Sequence, residues 1–216
     1  MTLPVFPVNV GIEEVGDFDL LHRTEHFPSS LTSAERIRGD LTPRWTVALR
    51  LGAMTESEWR RWSAFVVGLA GASGLMYYTP THAARPQFGL PGGLPGGTPV
   101  VAGAGQLGRS LITTGWPAGQ TVLHAGDFFC FDNLSGIREL KLLTADASSD
   151  GAGAATLAFA PPIRRAPADG AAIVIDGPSC AMRAIDDKQG ALTITRNRKI
   201  GRASFHLIES FVGAAS

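Results

Sequence analysis

The sequence predicts a mainly β protein with one amphipathic helix: an N-terminal strand–helix–strand region followed by a small antiparallel β-barrel or sandwich. Three observations predict this class. The 216 residues include 26 glycines and 14 prolines but only 18% charged residues, a mixture that favours short strands and tight turns. Turn signals recur roughly every 8–15 residues in the second half. A single segment has the apolar spacing of a helix.

The first clear strand lies in "PRWTVALRLGA", residues 43–53. Trp45, Val47, Leu49 and Leu51 alternate with polar or small residues. A period of two places one set of side chains on each face, so this segment is predicted to be a half-buried strand.

The helix follows directly, from about residue 56 to residue 70. Thr55 and Glu58 have the spacing of a capping box, in which each side chain accepts a hydrogen bond from a free backbone N–H. Gly71 and Gly74 end the helix, and "LMYYT" (75–79) resumes as a strand. The predicted apolar stripe of the helix, at spacings of three and four residues, consists of Trp59, Trp62, Phe65, Val66 and Leu69.

A Gly/Pro-rich stretch from residue 80 to residue 106 separates two halves and is predicted to be a long loop or an extended arm. We therefore divide the chain into 1–84, an arm or linker at 85–106, and an antiparallel β domain at 107–216. The strands predicted in the last part are "SLITTGW", "QTVLH", "FFCF", "LKLLTAD", "ATLAFAPP", "AAIVID", "CAMRAI", "ALTITR" and "ASFHLIESF".

Charge and cysteine content restrict the partners. The formal net charge is zero and the pI is near 7, which favours neither nucleic acid nor an anionic membrane as a partner. Cys130 and Cys180 lie in apolar runs and are expected to be buried free thiols. The sequence shows neither a signal peptide nor an apolar run of ~20 residues, so we expect folding in a reducing cytoplasm.

A dinucleotide-binding turn is suggested by Gly103-x-Gly105-x-x-Gly108, which follows a short apolar run. That function requires a helix that begins at the third glycine. Here Gly108 leads into "RSLITTGWP", which is β-branched and ends at Gly115 and Pro117. We therefore predict a strand and no cofactor.

A zinc site is suggested by "HRTEH" (22–26), in which His22 and His26 could ligate a metal with Glu25 as the base. Pro28 follows too closely for a long helix, and no convincing third ligand is present. We favour an exposed polar turn or loop and predict no metal.

Other catalytic patterns are weak. The chain has no Gly-x-Ser-x-Gly motif, and His82, His124 and His206 are expected to be structural. "RNRKIGR" (196–202) and the Arg164–Arg165 pair are expected to be solvated hairpin tips or contacts to acidic subunit neighbours rather than phosphate sites. The acidic residues expected at strand ends, where aspartates stabilise turns, are Asp127, Asp132, Asp146, Asp150, Asp169, Asp186 and Asp187. We predict no catalytic residue.

Several longer strings resemble the minor tail proteins of long-tailed bacteriophages and gene transfer agents. They are "SAERIRGDLTPRWTVALRL" with the Trp-rich helix and "LMYYTP" after it, then "GWPAG", "VLHAGDFFCF", "LKLLTADASSDGAGAATLAFAPPIRRAPADGAAIV" and "PSCAMRAID". The resemblance covers most of residues 31–186. It does not include the first thirty residues, and the 85–106 segment is longer than a barrel connection needs.

The resemblance implies a tail-tip component similar to the distal tail protein, with a belt-type N-terminal domain. Such a protein forms a ring, sixfold by analogy, that links the tail tube protein to the tail hub or receptor-binding proteins. The implied location is the virion tail, assembled in the host cytoplasm, with neither a membrane nor a specific nucleic acid as partner.

Two alternatives remain open. The first is a carbohydrate- or receptor-binding module of the tail tip that uses Trp116, Tyr77 and Tyr78 as sugar platforms. The second is a hydrolase, either metal-dependent through His22 and His26 or glycosidic through paired aspartates.

Overall fold

The computed structural model describes residues 3–7, 12–28, 30, 34–39, 42–93, 99–188 and 203–211. Its only α-helix in these ranges is α1, Glu56–Gly68. The strands are β1 Ile12–Leu21, β2 Glu25–Pro28, β3 Glu35–Arg38, β4 Arg44–Leu51, β5 Met76–Tyr78, β6 Val100–Val101, β7 Gly108–Thr114, β8 Thr121–Leu123, β9 Phe128–Asp132, β10 Arg138–Leu143, β11 Ala147–Ser148, β12 Ala155–Ile163, β13 Cys180–Ala184 and β14 Ala203–Glu209. The predicted class, mainly β with one helix, is confirmed.

The first sheet is five-stranded and antiparallel, in the order β1-β4-β14-β13-β5. The predicted alternation in β4 is confirmed, because Trp45, Val47, Leu49 and Leu51 are buried on one face. At the β5 edge, Phe6 N donates to the Tyr77 carbonyl oxygen at 2.9 Å. This sheet therefore combines strands from the N-terminal and C-terminal parts of the chain.

Helix α1 packs on the first sheet. Thr55 accepts a hydrogen bond from Glu58 N at 3.4 Å, and the Glu58 carboxylate accepts one from Thr55 N at 2.8 Å, so the predicted capping box is confirmed. Trp62 is fully buried and makes edge-to-face contacts with Phe6 and Phe205. The apolar stripe thus fixes the helix against the sheet.

The second sheet is also antiparallel and is curled, in the order β6-β7-β12-β10-β9. The segment 171–174 lies between its two edges. Val101 N donates to the Ala171 carbonyl oxygen, and Cys130 and Val174 exchange backbone hydrogen bonds of 2.9 and 2.8 Å. The segment covers both edges, which removes two places where another chain could pair.

Strand β9 contributes to both hydrophobic cores. Phe128 and Cys130 belong to the core of the first sheet, whereas Phe129 and Phe131 belong to the core inside the curled sheet. The alternation of side chains along a strand makes this possible. Because both faces are buried, the run "FFCF" is apolar throughout.

One predicted strand is confirmed with an irregularity, and another is wrong. The strand predicted at "ATLAFAPP" is β12, which runs through Pro161 and Pro162 to Ile163. The β7–β12 register shifts between Ala158 and Ile163, because proline nitrogens have no hydrogen to donate. "AAIVID" was expected to be a full strand, but it makes only single bridges, since it pairs with two different edges.

Up to residue 93, the Gly/Pro-rich segment forms polar contacts with later parts of the same chain. Gln87 N donates to Asp127 Oδ1 at 2.9 Å, and Arg85 binds Asp176 at 3.0 Å. Residues 94–98 lie outside the described ranges. The division at residues 84 and 106 into separate units stays a prediction.

Candidate functional site

The glycine motif forms a turn. Gly103, Gly105 and Gly108 all have positive φ angles (95°, 75° and 91°), a conformation that glycine adopts without strain. Strand β7 begins at Gly108, so the prediction of a strand in place of a helix is confirmed. Asp169 Oδ1 accepts a hydrogen bond from Gly103 N at 2.8 Å and holds the turn from within the chain.

The HRTEH segment is not helical. His22 precedes β2, whereas Glu25 and His26 lie in β2. The expectation of a polar turn or loop is therefore correct for residues 22–24 and wrong for Glu25 and His26, which lie in a strand. Adjacent residues of a strand point to opposite faces, and His26 Nδ1 lies 2.6 Å from Glu35 Oε1. Within the ranges described above, no three His, Cys, Asp or Glu side chains are placed to hold a metal ion.

The aspartates accept hydrogen bonds in turns and between distant segments of the chain. Asp127 is buried and accepts hydrogen bonds from Gln87 N and His124 N, and Asp132 binds Arg138. Six of the seven aspartates named above accept hydrogen bonds from backbone N–H groups: Asp127, Asp146, Asp150, Asp169, Asp186 and Asp187. The bonds of Asp150 and Asp186 are local and stabilise turns. Those of Asp146, Asp169 and Asp187 join segments 21, 66 and 115 positions apart.

Two of the three candidate sugar platforms are buried. Trp116 is 5% exposed and its Nε1 donates to Thr113 Oγ1 at 2.8 Å. Tyr78 is 1% exposed, and burial raises its pKa to about 12. Tyr77 is half-buried with the Arg138 guanidinium 4.8 Å from its ring centre. A sugar in solution reaches neither of the two buried rings.

Both cysteines are free and fully buried, as expected. Ser179, the neighbour of Cys180 in the sequence, contacts Cys130: its N–H donates to Cys130 Sγ at 3.3 Å. Burial raises the pKa of the Cys130 thiol to about 11 and raises that of Cys180 well above its usual range. The thiols are therefore protonated and act as small apolar groups.

The Arg164–Arg165 pair lies beside a buried ion pair: the Arg164 side chain is half-buried, and the Arg165 side chain is exposed, as expected. Lys141 Nζ lies 2.9 Å from Glu139 Oε2, and both side chains are almost completely buried. The backbone N–H groups of Arg164 and Arg165 also donate to the Glu139 carboxylate at 3.2 Å. The other predicted basic loop, 196–202, lies outside the described residues.

Glu209 joins these charged residues from the end of β14. It accepts a hydrogen bond from Trp45 N at 3.1 Å. Burial raises the pKa of Glu209 to about 7, although the Trp45 amide, Lys141 and Arg164 act in the opposite direction. Burial also opposes the charge on Glu139, but Lys141 and Asn133 hold the pKa of Glu139 below its usual value. These groups lie in the packed interior, which suits a structural role.

The feature best placed to meet a partner is the hairpin of β2 and β3, which we call the hairpin arm. It lies in sequence between β1 and β4, which pair from Ile12↔Leu51 to Leu21↔Arg44. The arm continues this antiparallel pair, with Glu25 opposite Arg38. All eight of its residues are exposed.

The hairpin arm exposes large apolar side chains on both faces. Phe27 is 54% exposed and Ile37 is 62% exposed. Phe27 lies opposite Arg36, and the next pair on the same face is Glu25 with Arg38. On the other face, Ile37 lies opposite His26. A two-stranded hairpin without a packed face is marginally stable in water, so this element fits a role in which a partner covers it.

The sequence did not reveal this arm. The signal in the sequence was weak, because "ERIR" has one apolar residue among three charged ones and a Ser/Thr-rich stretch precedes it. So short a pattern predicts at most a short strand. Exposure of both faces depends on what packs nearby, which a short pattern does not contain.

The helices of the described part of the chain do not reach the length and hydropathy of a membrane span. Comparison of the chain with models of known protein families gives no match, and comparison with curated proteins also gives none.

Proposed function

We propose that this protein is a structural component of a bacteriophage tail tip, similar to the distal tail protein. It forms a ring, sixfold by analogy, that links the tail tube protein to the tail hub or receptor-binding proteins. It carries out no catalysis and needs no cofactor. The proposal starts from the resemblance of residues 31–186 to tail proteins, and one structural observation supports it most.

That observation is the hairpin arm. Its eight residues are exposed, and Phe27 and Ile37 together expose apolar surface on both faces. Such an element is stable only when a partner packs against it. In a ring, each copy supplies one arm and one receiving surface, so every arm is covered.

The rest of the chain supports a structural role. The aspartates that could have paired in a glycosidic site stabilise turns and loops. The edges of the curled sheet are covered from within the chain, whereas all eight residues of the arm are exposed. An exposed hairpin beside two packed sheets suits assembly in many copies.

The test measures the mass of the purified protein at micromolar concentration by light scattering, with negative-stain imaging of the same sample. We expect rings or a defined multi-copy species. The matched control replaces residues 22–41 with a short Gly-Ser turn between β1 and β4, and we expect this armless variant to be monomeric with an unchanged circular dichroism spectrum. A full chain that is monomeric and absent from purified virions would contradict the proposal.

A further inference from the structure

A small pocket lies between the C-terminal end of α1 and the ends of β13 and β14. Its volume is about 230 Å³, and its apolar lining is formed by Val66, Val67, Leu69, Ala184 and Phe205. We call it the α1 pocket. Val67 beside it is 78% exposed. An open apolar pocket with exposed apolar residues at its edge is typical of an interaction site.

Among the residues that the structure describes, the charged ones that line the α1 pocket are both acidic. Asp186 and Asp187 are exposed at its rim, and Asp187 Oδ1 accepts a hydrogen bond from Ala72 N at 2.9 Å. The last turn of α1 contains no basic residue, so the negative end of the helix dipole adds to the same field. The pocket therefore favours an apolar group that carries a positive charge beside it.

One face of the hairpin arm has this combination. Alternation places Phe27 on the same face as Arg36 and Arg38. Glu25 shares this face and lies 3.9 Å from Arg38, so the face keeps a net positive charge. The opposite face, with Ile37, Glu35 and His26, has the Glu35–His26 pair at its centre.

Two other depressions in the described part of the chain fit this face less well. The one beside Ile112 is lined mainly by Ser, Thr and Ala residues and has a single acidic residue, Asp150. The one beside Ile185 shares Asp186 with the α1 pocket but also contains Lys188 and His206, so it has one acidic residue where the α1 pocket has two.

We infer that the Phe27 face of the hairpin arm of one copy binds the α1 pocket of the next copy. Phe27 enters the apolar pocket, and Arg36 and Arg38 lie against the acidic rim. The contact joins two different surfaces, so its repetition generates a ring when the rotation closes. This inference rests on the proposed function and adds the receiving surface.

Cross-linking tests the contact directly. Chains with Phe27→Cys and chains with Val67→Cys are mixed at micromolar concentration and treated with a mild disulfide-forming oxidant. The native Cys130 and Cys180 are fully buried, which keeps the background low. We expect a covalent dimer in about tenfold excess over the control mixture, because the contact raises the effective concentration of the two thiols. The control pairs Phe27→Cys with Leu134→Cys, since Leu134 is 71% exposed.

Charge reversal provides a second, independent measurement. We expect Arg36→Glu and Asp186→Arg each to raise the concentration needed for assembly by roughly tenfold, and the two together in one chain to restore it. Arg109→Glu, which changes an exposed arginine of β7, serves as the control and should have no effect. Thermal unfolding of each variant separates a lost contact from a lost fold.

The outcomes distinguish the inference from the proposed function. Multi-copy assembly without enrichment of the Phe27–Val67 cross-link, or without rescue by the double reversal, overturns the inference and leaves the ring intact. A protein that never assembles and is absent from virions overturns both. A chain that cross-links as expected and regains assembly in the double variant supports both.

Discussion

At the scale of single residues, Glu209 links stability to pH. Its carboxyl is buried, and its pKa is raised from 4.5 to about 7. A folded-state pKa above the unfolded value means that the folded protein binds the proton more tightly. The stabilisation is thus fully present below about pH 4.5 and is lost as the pH rises through about 7.

We expect the free energy of unfolding to fall by up to ~3 kcal/mol between pH 5 and pH 8 through this group alone. The Glu209→Gln variant keeps an oxygen that can accept the hydrogen bond from Trp45 N but cannot ionise. Its stability should fall less over the same range, as measured by urea unfolding at several pH values. The difference between the two proteins cancels the contribution of the histidines. Parallel profiles would contradict the assignment.

Tyr78 gives a second prediction at this scale. Its side chain is 1% exposed, and its hydroxyl has no hydrogen-bond partner among the described residues. A buried hydroxyl without a partner costs about 1–3 kcal/mol. We therefore expect Tyr78→Phe to be neutral or to raise the free energy of unfolding by about 1 kcal/mol.

The matched control is Tyr77→Phe, at the neighbouring position of β5, where the ring is half-buried beside Arg138. It removes a hydroxyl that solvent can reach, so the gain should be absent there. Chemical denaturation measures both variants. A clear loss of stability in Tyr78→Phe would show that the hydroxyl has a partner.

At the scale of elements, the capping box and the apolar stripe of α1 are the clearest cases in which local sequence predicts local structure. We expect Thr55→Ala to reduce the free energy of unfolding by about 1 kcal/mol, because Glu58 N then loses its acceptor. Ser63→Ala, in the middle of the same helix, should change it by less than about 0.5 kcal/mol. Equal effects at the two sites, in thermal or urea unfolding, would contradict the role of the cap.

The elements that sequence described poorly are those shaped by their neighbours. The predicted strand "ATLAFAPP" includes Pro161 and Pro162, but its pattern did not show that the β7–β12 ladder skips these positions. Residues 171–174 form single bridges because they serve two sheet edges. β2 and β3 were not recognised as an arm, since "EHFP" and "ERIR" do not reveal that nothing in the described chain buries them.

At the scale of the whole molecule, the two sheets share a packed interface. Phe128, Cys130 and Leu140 come from the second sheet but belong to the core of the first, and Trp45 Nε1 donates to the Leu140 carbonyl oxygen at 3.0 Å. We expect unfolding in one cooperative transition, because neither core remains complete without β9.

Tryptophan positions allow a direct test of this cooperativity. Trp45 and Trp62 report on the first core, and Trp116 reports on the second. Single-tryptophan variants should give the same urea midpoint as far-UV circular dichroism. Two separate midpoints would instead show that the two cores unfold independently of each other.

The sequence by itself determined the local features: the alternation of β4, the capped helix, the strand after the glycine motif and the mainly β class. These features are encoded in residues close together in the chain, because helix caps, turns and side-chain periods depend on near neighbours. The tertiary structure decided which charges are buried, which edges are covered and which hairpin is exposed. Trp45 N and the Glu209 carboxylate, 164 positions apart, meet only after folding, and such contacts depend on the packing of whole sheets.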